Sequence, residues 1–412
     1  MKIKEKIKEI KENIKEGGLK FFLLIPFVVS VAMTIMCYYY WNARFTFELG
    51  DDAVRVSSVL KDLCTKSDYA ADEVLAINVS YDRVLVPYYE SRIPQGNIDI
   101  TDRYKLLVLL DSLSRWNNYK YIACDVRFDS AFTTEWDEEL FELIAGMRNI
   151  TVARGLNKSY SPVLSEKVSN SSYSEFFSGD GFMKFTYKAP DGMDNMAYRM
   201  WKELDGGSIE KHWWRYTSGG RGCVCSFIPD LRYVTRSYDL SGVDNPNNLN
   251  ELEVYNLGED ILNQFYEDQD IAELFKDKII LIGDFKESDI HDTIKNRLSG
   301  PAIMYNEYLG LKEGDHIVRT WIIIVLLLVF TSEISYALRA YWWKGDKKKD
   351  KKRHGCVIVR AILKALLTWI GYTGVLGIAC FIIYATSGLF VNAILIGSII
   401  AFMSSFIKSP EV

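Results

Sequence analysis

The absences narrow the chain first. It has no Gly-x-Ser-x-Gly nucleophile elbow, no Gly-x4-Gly-Lys-Ser/Thr phosphate loop and no His-Glu-x-x-His zinc pair. Four histidines in 412 residues are few, and one histidine among carboxylates is poor zinc chemistry. No repeat of 20–50 residues recurs. Positive charge is scarce in the middle. The net charge is −5, yet residues 1–20 carry +3 and residues 321–412 carry +7, which leaves −15 on residues 21–320. A large domain of that sign repels phosphate, so nucleic acid is not an expected partner. Disorder is excluded by an aromatic content of 14%.

Long apolar runs are present at both ends. Phe21 to Trp41 holds no charge and is long enough to cross a bilayer core about 30 Å thick. It closes on Tyr38, Tyr39, Tyr40 and Trp41, an interfacial aromatic belt. An uncleaved anchor is the reading favoured over a cleaved signal peptide, whose apolar core is shorter. Three further runs follow at 320–341, 357–384 and 389–407. Between the second and third lies a basic loop, residues 342–356, with Lys347, Lys348, Lys349, Lys351, Lys352 and Arg353. Basic loops stay on the cytoplasmic side. One topology satisfies both the loop and the Lys-rich tail at 1–20. The N-terminus is inside, 42–319 is outside, three helices follow, and the stub 408–412 is inside. On this reading the inner segments are too short to bury a core, so no cytoplasmic catalytic domain is expected.

The outer domain alternates strand and helix signals. Apolar strand-like runs lie at 73–79, 119–126, 150–153 and 276–283. Tyr104, Leu106, Leu107, Leu109, Leu110 and Leu113 recur at helical spacing. Residues 136–147 read as a helix with acids in its first turn, where the dipole favours them. Met196 to Leu204 reads as a short helix. Residues 157–180 read as loop, 223–234 as strand, 218–222 as a hairpin turn and 241–251 as an exposed polar insertion. Strands separated by helices pair in parallel through crossovers. The expected fold is an α/β extracytoplasmic domain, with a mixed, largely parallel sheet and flanking helices. Four transmembrane α-helices complete it, one N-terminal and three C-terminal.

These blocks, in this order, resemble the CHASE type two family of extracellular sensory domains. The likeness rests on Val74 to Val79, Tyr121 to Phe128, Ile150 to Gly155 and Phe275 to Gly283. The last is followed by Asp289-Ile290-His291-Asp292-Thr293 and Gly300-Pro301-Ala302-Ile303-Met304-Tyr305-Asn306. The layout of one helix before the domain and three after it matches as well. The resemblance implies a sensor and names no ligand. The chain departs from it by having no output domain after the last helix, and by a longer, more polar stretch at 206–269.

Ligands in parallel sheets sit beyond the carboxyl ends of the strands. Asp82, Arg83, Asp125, Arg127 and Asp284 fall there, and the loop with Asp289, His291 and Asp292 folds over the same edge. Two readings stay open. These groups either form a polar pocket for a small molecule or cation, or they hydrogen-bond the loops and fix the rim of the sheet. Oxygen-ligated calcium is conceivable, but no recognisable calcium-loop spacing is present. No metal or other cofactor is expected. Cys64 stands apart from Cys223 and Cys225, and a disulfide from Cys64 to either is allowed in an oxidising compartment.

In the membrane segments, Glu333 and Lys364 each lie roughly 10 Å above the inner end of their helices at 1.5 Å per residue. Ionisable groups at that depth find partners, so a Glu333–Lys364 pair is expected. The alternative is that Lys364 reaches the headgroups. Ala393, Gly397, Ala401 and Ser405 recur every four residues, a stripe that admits close helix packing, with Gly371, Gly374 and Gly377 of the preceding helix as the expected partners. The resulting expectation is a bacterial inner-membrane, multi-pass, non-enzymatic sensor. Its outer domain detects an unknown small ligand or an envelope protein and signals to a separate cytoplasmic effector, with the basic loop touching that effector or anionic lipid. A homodimer is the default state. The rival is a structural scaffold with a protein-binding outer domain.

Overall fold

The computed structural model describes residues 24–43, 54–61, 73–90, 93–128, 132–155, 168–174, 184–189, 191–235, 250–267, 271–286, 288–294, 297–345 and 357–406. The chain divides into two compact units, Ser58–His316 and the combination of Met1–Ser57 with Ile317–Val412.

In the first unit, β1 (Val74–Asn78) is followed by a hairpin of β2 (Arg83–Glu90) and β3 (Ile93–Thr101). Then come α2 (Arg103–Trp116), β4 (Tyr121–Asp125), α3 (Asp137–Gly146), β5 (Ile150–Arg154) and β6 (Ser171–Tyr173); α1 is the N-terminal helix Leu24–Asn42. Later come α4 (Met196–Asp205), the short strands β7 (Glu210–Lys211), β8 (Tyr216–Ser218) and β9 (Arg221–Cys223), then β10 (Val254–Asn256) and β11 (Ile279–Gly283). A hairpin of β12 (Ile290–Asp292) and β13 (Arg297–Ser299) leads into α5 (Gly300–Glu313).

Six strands form one sheet in the order β10-β1-β11-β4-β5-β6, and every pairing in it is parallel. The antiparallel additions expected within a mixed sheet are instead separate small ladders, such as β2–β3 and β12–β13. The central strand, β11, is buried along its whole length. A strand covered on both faces reads as a continuous apolar run, which is why Ile-Ile-Leu-Ile was visible as a strand. One face is covered by α2 and α3. Leu106, Leu109, Leu110 and Leu113 of α2 are wholly buried there with Ile77, Ile122, Ile280 and Ile282. Each such side chain contributes about 1.5–3 kcal/mol. On the opposite face lie α4 and α5.

The helix ends follow local chemistry. Asp102 caps α2, its side chain accepting the Tyr104 and Lys105 amides at 3.0 and 3.2 Å. Asn195 caps α4 by accepting the Ala197 amide at 2.8 Å. Pro301 opens α5, and Gly314 closes it in the left-handed region. The glycine run at 218–222 is a hairpin turn between β8 and β9, with Gly219 and Gly220 both at positive φ. Two readings change. Residues 171–173 form β6 inside the segment read as loop, because three residues of Ser-Ser-Tyr carry no alternation. The strand character at 223–234 breaks into short pieces. Residues 241–249 of the polar insertion lie outside the described residues.

In the second unit, α1 is joined by α6 (Thr320–Gly345), α7 (Val357–Ser387) and α8 (Ala393–Phe406). Among the described residues two helices are long and apolar enough to cross a membrane, Leu24–Asn42 and Trp369–Ser387; Thr320–Tyr336 is a shorter apolar helix. The fourth run becomes helical at Ala393 rather than 389, because Gly388 takes a left-handed φ of 61° and ends α7. The stripe on α8 packs differently from expectation. A Cβ on Gly397 would strike Thr373 of α7, with the Thr373 Cα at 3.2 Å, whereas Gly371, Gly374 and Gly377 face open space. Ala393 is buried and Ala401 half-buried; the side chain of Ser405 lies outside the described residues. So does that of Lys364, and with it the expected ion pair. Glu333 is 5% exposed.

Candidate functional site

Three parallel strands deliver their last residues side by side. Asn78 is in register with Gly283, and Gly283 with Asp125. Because β11 is inserted between β1 and β4, this is where the chain's strand order switches, and crossover loops leave a crevice at such a point. The β2–β3 hairpin and the β12–β13 hairpin wall it. The result is a cleft of about 690 Å³, within the size range of small-molecule sites.

Its wall mixes apolar and charged side chains. Val79, Ile98, Ile100, Val126 and Phe132 supply the apolar surface, and Arg83, Asp99, Asp125, Arg127, Asp284, Asp289 and His291 the charge, with Ser174 and Ser288 adding hydroxyls. Beneath the cleft lies a recess of about 10 Å³, lined by Asp125, Ser174, Asn195, Gly300 and Glu307 among others. That is room for one water-sized group.

The edge is held by a buried amide. Asn78 is fully buried. Its Oδ1 accepts the Ser80 hydroxyl at 2.8 Å and the amides of Phe285 and Ser80 at 3.1 and 3.3 Å. Its Nδ2 donates to Asn256 Oδ1 at 3.0 Å. One side chain therefore ties together the ends of β1, β10 and β11.

Asp284 is saturated. Its carboxylate accepts Arg83 Nη2 at 2.9 Å, the Ser288 amide at 2.9 Å and the Lys286 amide at 3.0 Å. Arg83 is also 3.8 Å from Asp99. Asp289 meets His291 Nε2 at 2.7 Å, and its main-chain oxygen accepts the Gly300 amide at 2.9 Å. The remaining acids are poorly compensated. Desolvation, then the nearby Asp289 charge, hold the Asp125 carboxyl well above the usual range against a hydrogen bond from Ser174. Burial raises Asp289 as well, opposed by His291. Burial, then the Asp125 charge, push Glu307 well up. Asp125 and Glu307, two carboxyls that resist losing their protons, thus line one small recess, and Asp289, a third, lines the adjoining cleft. The chemistry on offer is cation or hydrogen-bond donor capture.

Of the eight residues expected at this edge, Arg83, Asp125, Arg127, Asp284, Asp289 and His291 share the cleft. Asp82 does not. It is 5% exposed and faces away, bonding Lys105 Nζ at 2.6 Å and the Gly258 amide at 3.0 Å. Its role is the fixed rim, since it clamps α2 and the segment after β10. Asp292 is also outside. Side chains alternate along a strand, so His291 faces the cleft while Asp292 is exposed, 3.5 Å from Arg297 across the hairpin. Sequence reasoning missed Asp99, Phe132, Ser174, Ser288 and Glu307. The alternation Ile98-Asp99-Ile100 and the lone acid in the apolar run 300–311 were available signals; Ser174 and Ser288 had none.

Among the described residues no group of three or more His, Cys, Asp or Glu is placed to hold a metal ion. Cys64 lies outside the described residues, and its disulfide with it. No protein-family model matches the chain, and neither does any curated protein or any solved structure.

Proposed function

We propose that this chain is a sensor subunit of a bacterial cell membrane, of the CHASE type two kind that its sequence blocks resemble. The observation that supports the reading is the cleft of about 690 Å³ at the carboxyl ends of β1, β11 and β4, walled by two hairpins. A small ligand enters it. The four apolar segments cross the membrane, with the outer domain outside the cytoplasm. They pass the change to a separate cytoplasmic effector. Lys347, Lys348, Lys349, Lys351, Lys352 and Arg353 contact that effector or anionic lipid; they lie outside the described residues. Signalling requires the ligand to bind one state of the bundle better than another.

A scaffold is the second reading, and one observation favours it. At the β7–β8 turn, where the His212 amide donates to the Arg215 carbonyl at 2.8 Å, Trp213 and Trp214 are 96% and 61% exposed. Arg215 lies over the Trp214 ring at 5.4 Å. Bare indoles beside an arginine are the composition of a protein-binding hot spot.

Mild-detergent purification of the tagged full chain, with mass spectrometry of what accompanies it, separates the two. A stoichiometric cytoplasmic protein that is lost on neutralising 344–353 supports the sensor. An envelope protein lost on changing Trp213 and Trp214 to Ser, with no cytoplasmic partner, supports the scaffold.

A further inference from the structure

We propose that the recess beneath the cleft takes the ammonium group of a small organic amine, with Glu307 and Asp125 as acceptors in the recess, Asp289 beside them on the cleft side, and the body of the amine in the cleft. This rests on the reading of the cleft as a ligand site.

Glu307 carries the inference. It is 3% exposed and lines the recess, yet it makes no hydrogen bond or ion pair among the described residues. Its neighbour on α5 is, by contrast, fully satisfied. Asn306 is wholly buried, and its Oδ1 accepts the Arg232 and Tyr233 amides at 2.8 and 2.9 Å. Its Nδ2 donates to the Tyr233 and Ala302 carbonyls, both at 2.8 Å. A buried polar group without a partner is costly. The group that satisfies Glu307 therefore comes from the cleft side.

The charge balance selects a cation. Arg83 and Arg127 line the cleft and not the recess, and Arg83 is engaged by Asp284 at 2.9 Å. His291 is paired with Asp289 at 2.7 Å. The size selects a compact head, since about 10 Å³ admits one water-sized group. The cleft above offers Ile100 and Phe132 to an alkyl or aromatic body. Among the described residues no acid group has the placement of a metal centre, which favours a directional N–H donor over an ion that needs six or more oxygens.

The test is thermal unfolding of the full chain in lipid nanodiscs. The probes are 1,4-diaminobutane and 2-phenylethylamine; butyrate and butanol serve as acidic and neutral controls, and calcium chloride as the metal control. An amine is expected to raise the midpoint by several degrees, and Glu307→Gln should abolish that rise while the midpoint without probe stays measurable. Asp289→Asn serves as a second variant with the same expectation. An amine shift that survives both substitutions overturns the assignment, and so does a shift with calcium alone. A shift with butyrate or butanol alone also overturns it but leaves the cleft reading standing. Silence from every probe overturns the assignment and removes support from the cleft reading as well.

Discussion

The carboxylate of Asp289 lies directly over the Cα of Gly300, so close that a Cβ at Gly300 would fall within its contact distance. The Gly300 amide also donates to the Asp289 carbonyl at 2.9 Å. A loop acid is thereby locked onto the first residue of α5, the helix that carries Glu307. Gly300→Ala must displace the carboxylate. We expect a loss of about 1–3 kcal/mol, as for other overpacked sites, read as a lowered midpoint of thermal unfolding. Ala at Gly222, where an added Cβ meets nothing within 4 Å, is the control and should cost far less.

Asn78 is the most consequential polar residue at the strand ends. Asn78→Ala strands the Phe285 amide in a buried place and removes one partner of the half-buried Asn256 side chain. The expected cost is about 2–4 kcal/mol, with opening of the cleft. Faster hydrogen exchange at the 285 and 256 amides would register it, and protection equal to that of the unaltered chain would contradict it.

Acid stability should carry a signature of His316. Its ring is buried against Trp201 at 5.1 Å, and among the described residues neither ring nitrogen has a hydrogen-bond partner. Burial pulls its pKa down to about 4, against about 6.5 when unfolded. Between those values the unfolded chain binds a proton that the folded chain refuses. Stability therefore falls as pH drops from about 6.5 to 4, by up to about 3 kcal/mol. His316→Leu should remove that slope. The raised carboxyls of Asp125, Asp289 and Glu307 act in the opposite sense. Above the ordinary carboxyl range the folded state keeps protons that the unfolded state has lost, so their contribution weakens as pH rises. Glu307→Gln should flatten the loss on the alkaline side. Midpoints across pH 4–8 for the three chains decide both points.

Glu333 and Lys364 make a prediction for the apolar helices α6 and α7. Glu333 Oε2 is buried without a hydrogen-bond partner among the described residues, which fits a group awaiting a cationic neighbour. We expect Glu333→Lys and Lys364→Glu each to reduce the yield of folded protein in mild detergent, and the doubly exchanged chain to recover it. Single and double variants of equal yield would argue against a pair.

The parts of the fold legible in sequence were those where burial is symmetrical. Strands such as Ile279–Gly283, covered on both faces, announce themselves as unbroken apolar runs, and Leu106 to Leu113 as a helical stripe. The cleft was legible by topology alone: charged residues placed just past strand ends had to gather at one edge, and six of eight line it. Asp82 failed because a turn at 80–81 redirects it towards Lys105, and Asp292 because strand alternation turns it outward. Neither follows from counting residues after a strand. Glu307 was hidden for the opposite reason. It sits two turns inside a helix whose other residues are core-forming, and only the packing of α5 against the end of β4 brings it under the cleft.

The central claim, that this cleft holds a small ligand, is tested most directly by native mass spectrometry of the full chain released from its own membrane. Ile98→Trp, which fills the cleft from the hairpin side, is the comparison. The account predicts a bound mass of a few hundred daltons or less on the unaltered chain, absent from the Trp variant. Identical spectra for the two, with or without an adduct, would contradict it.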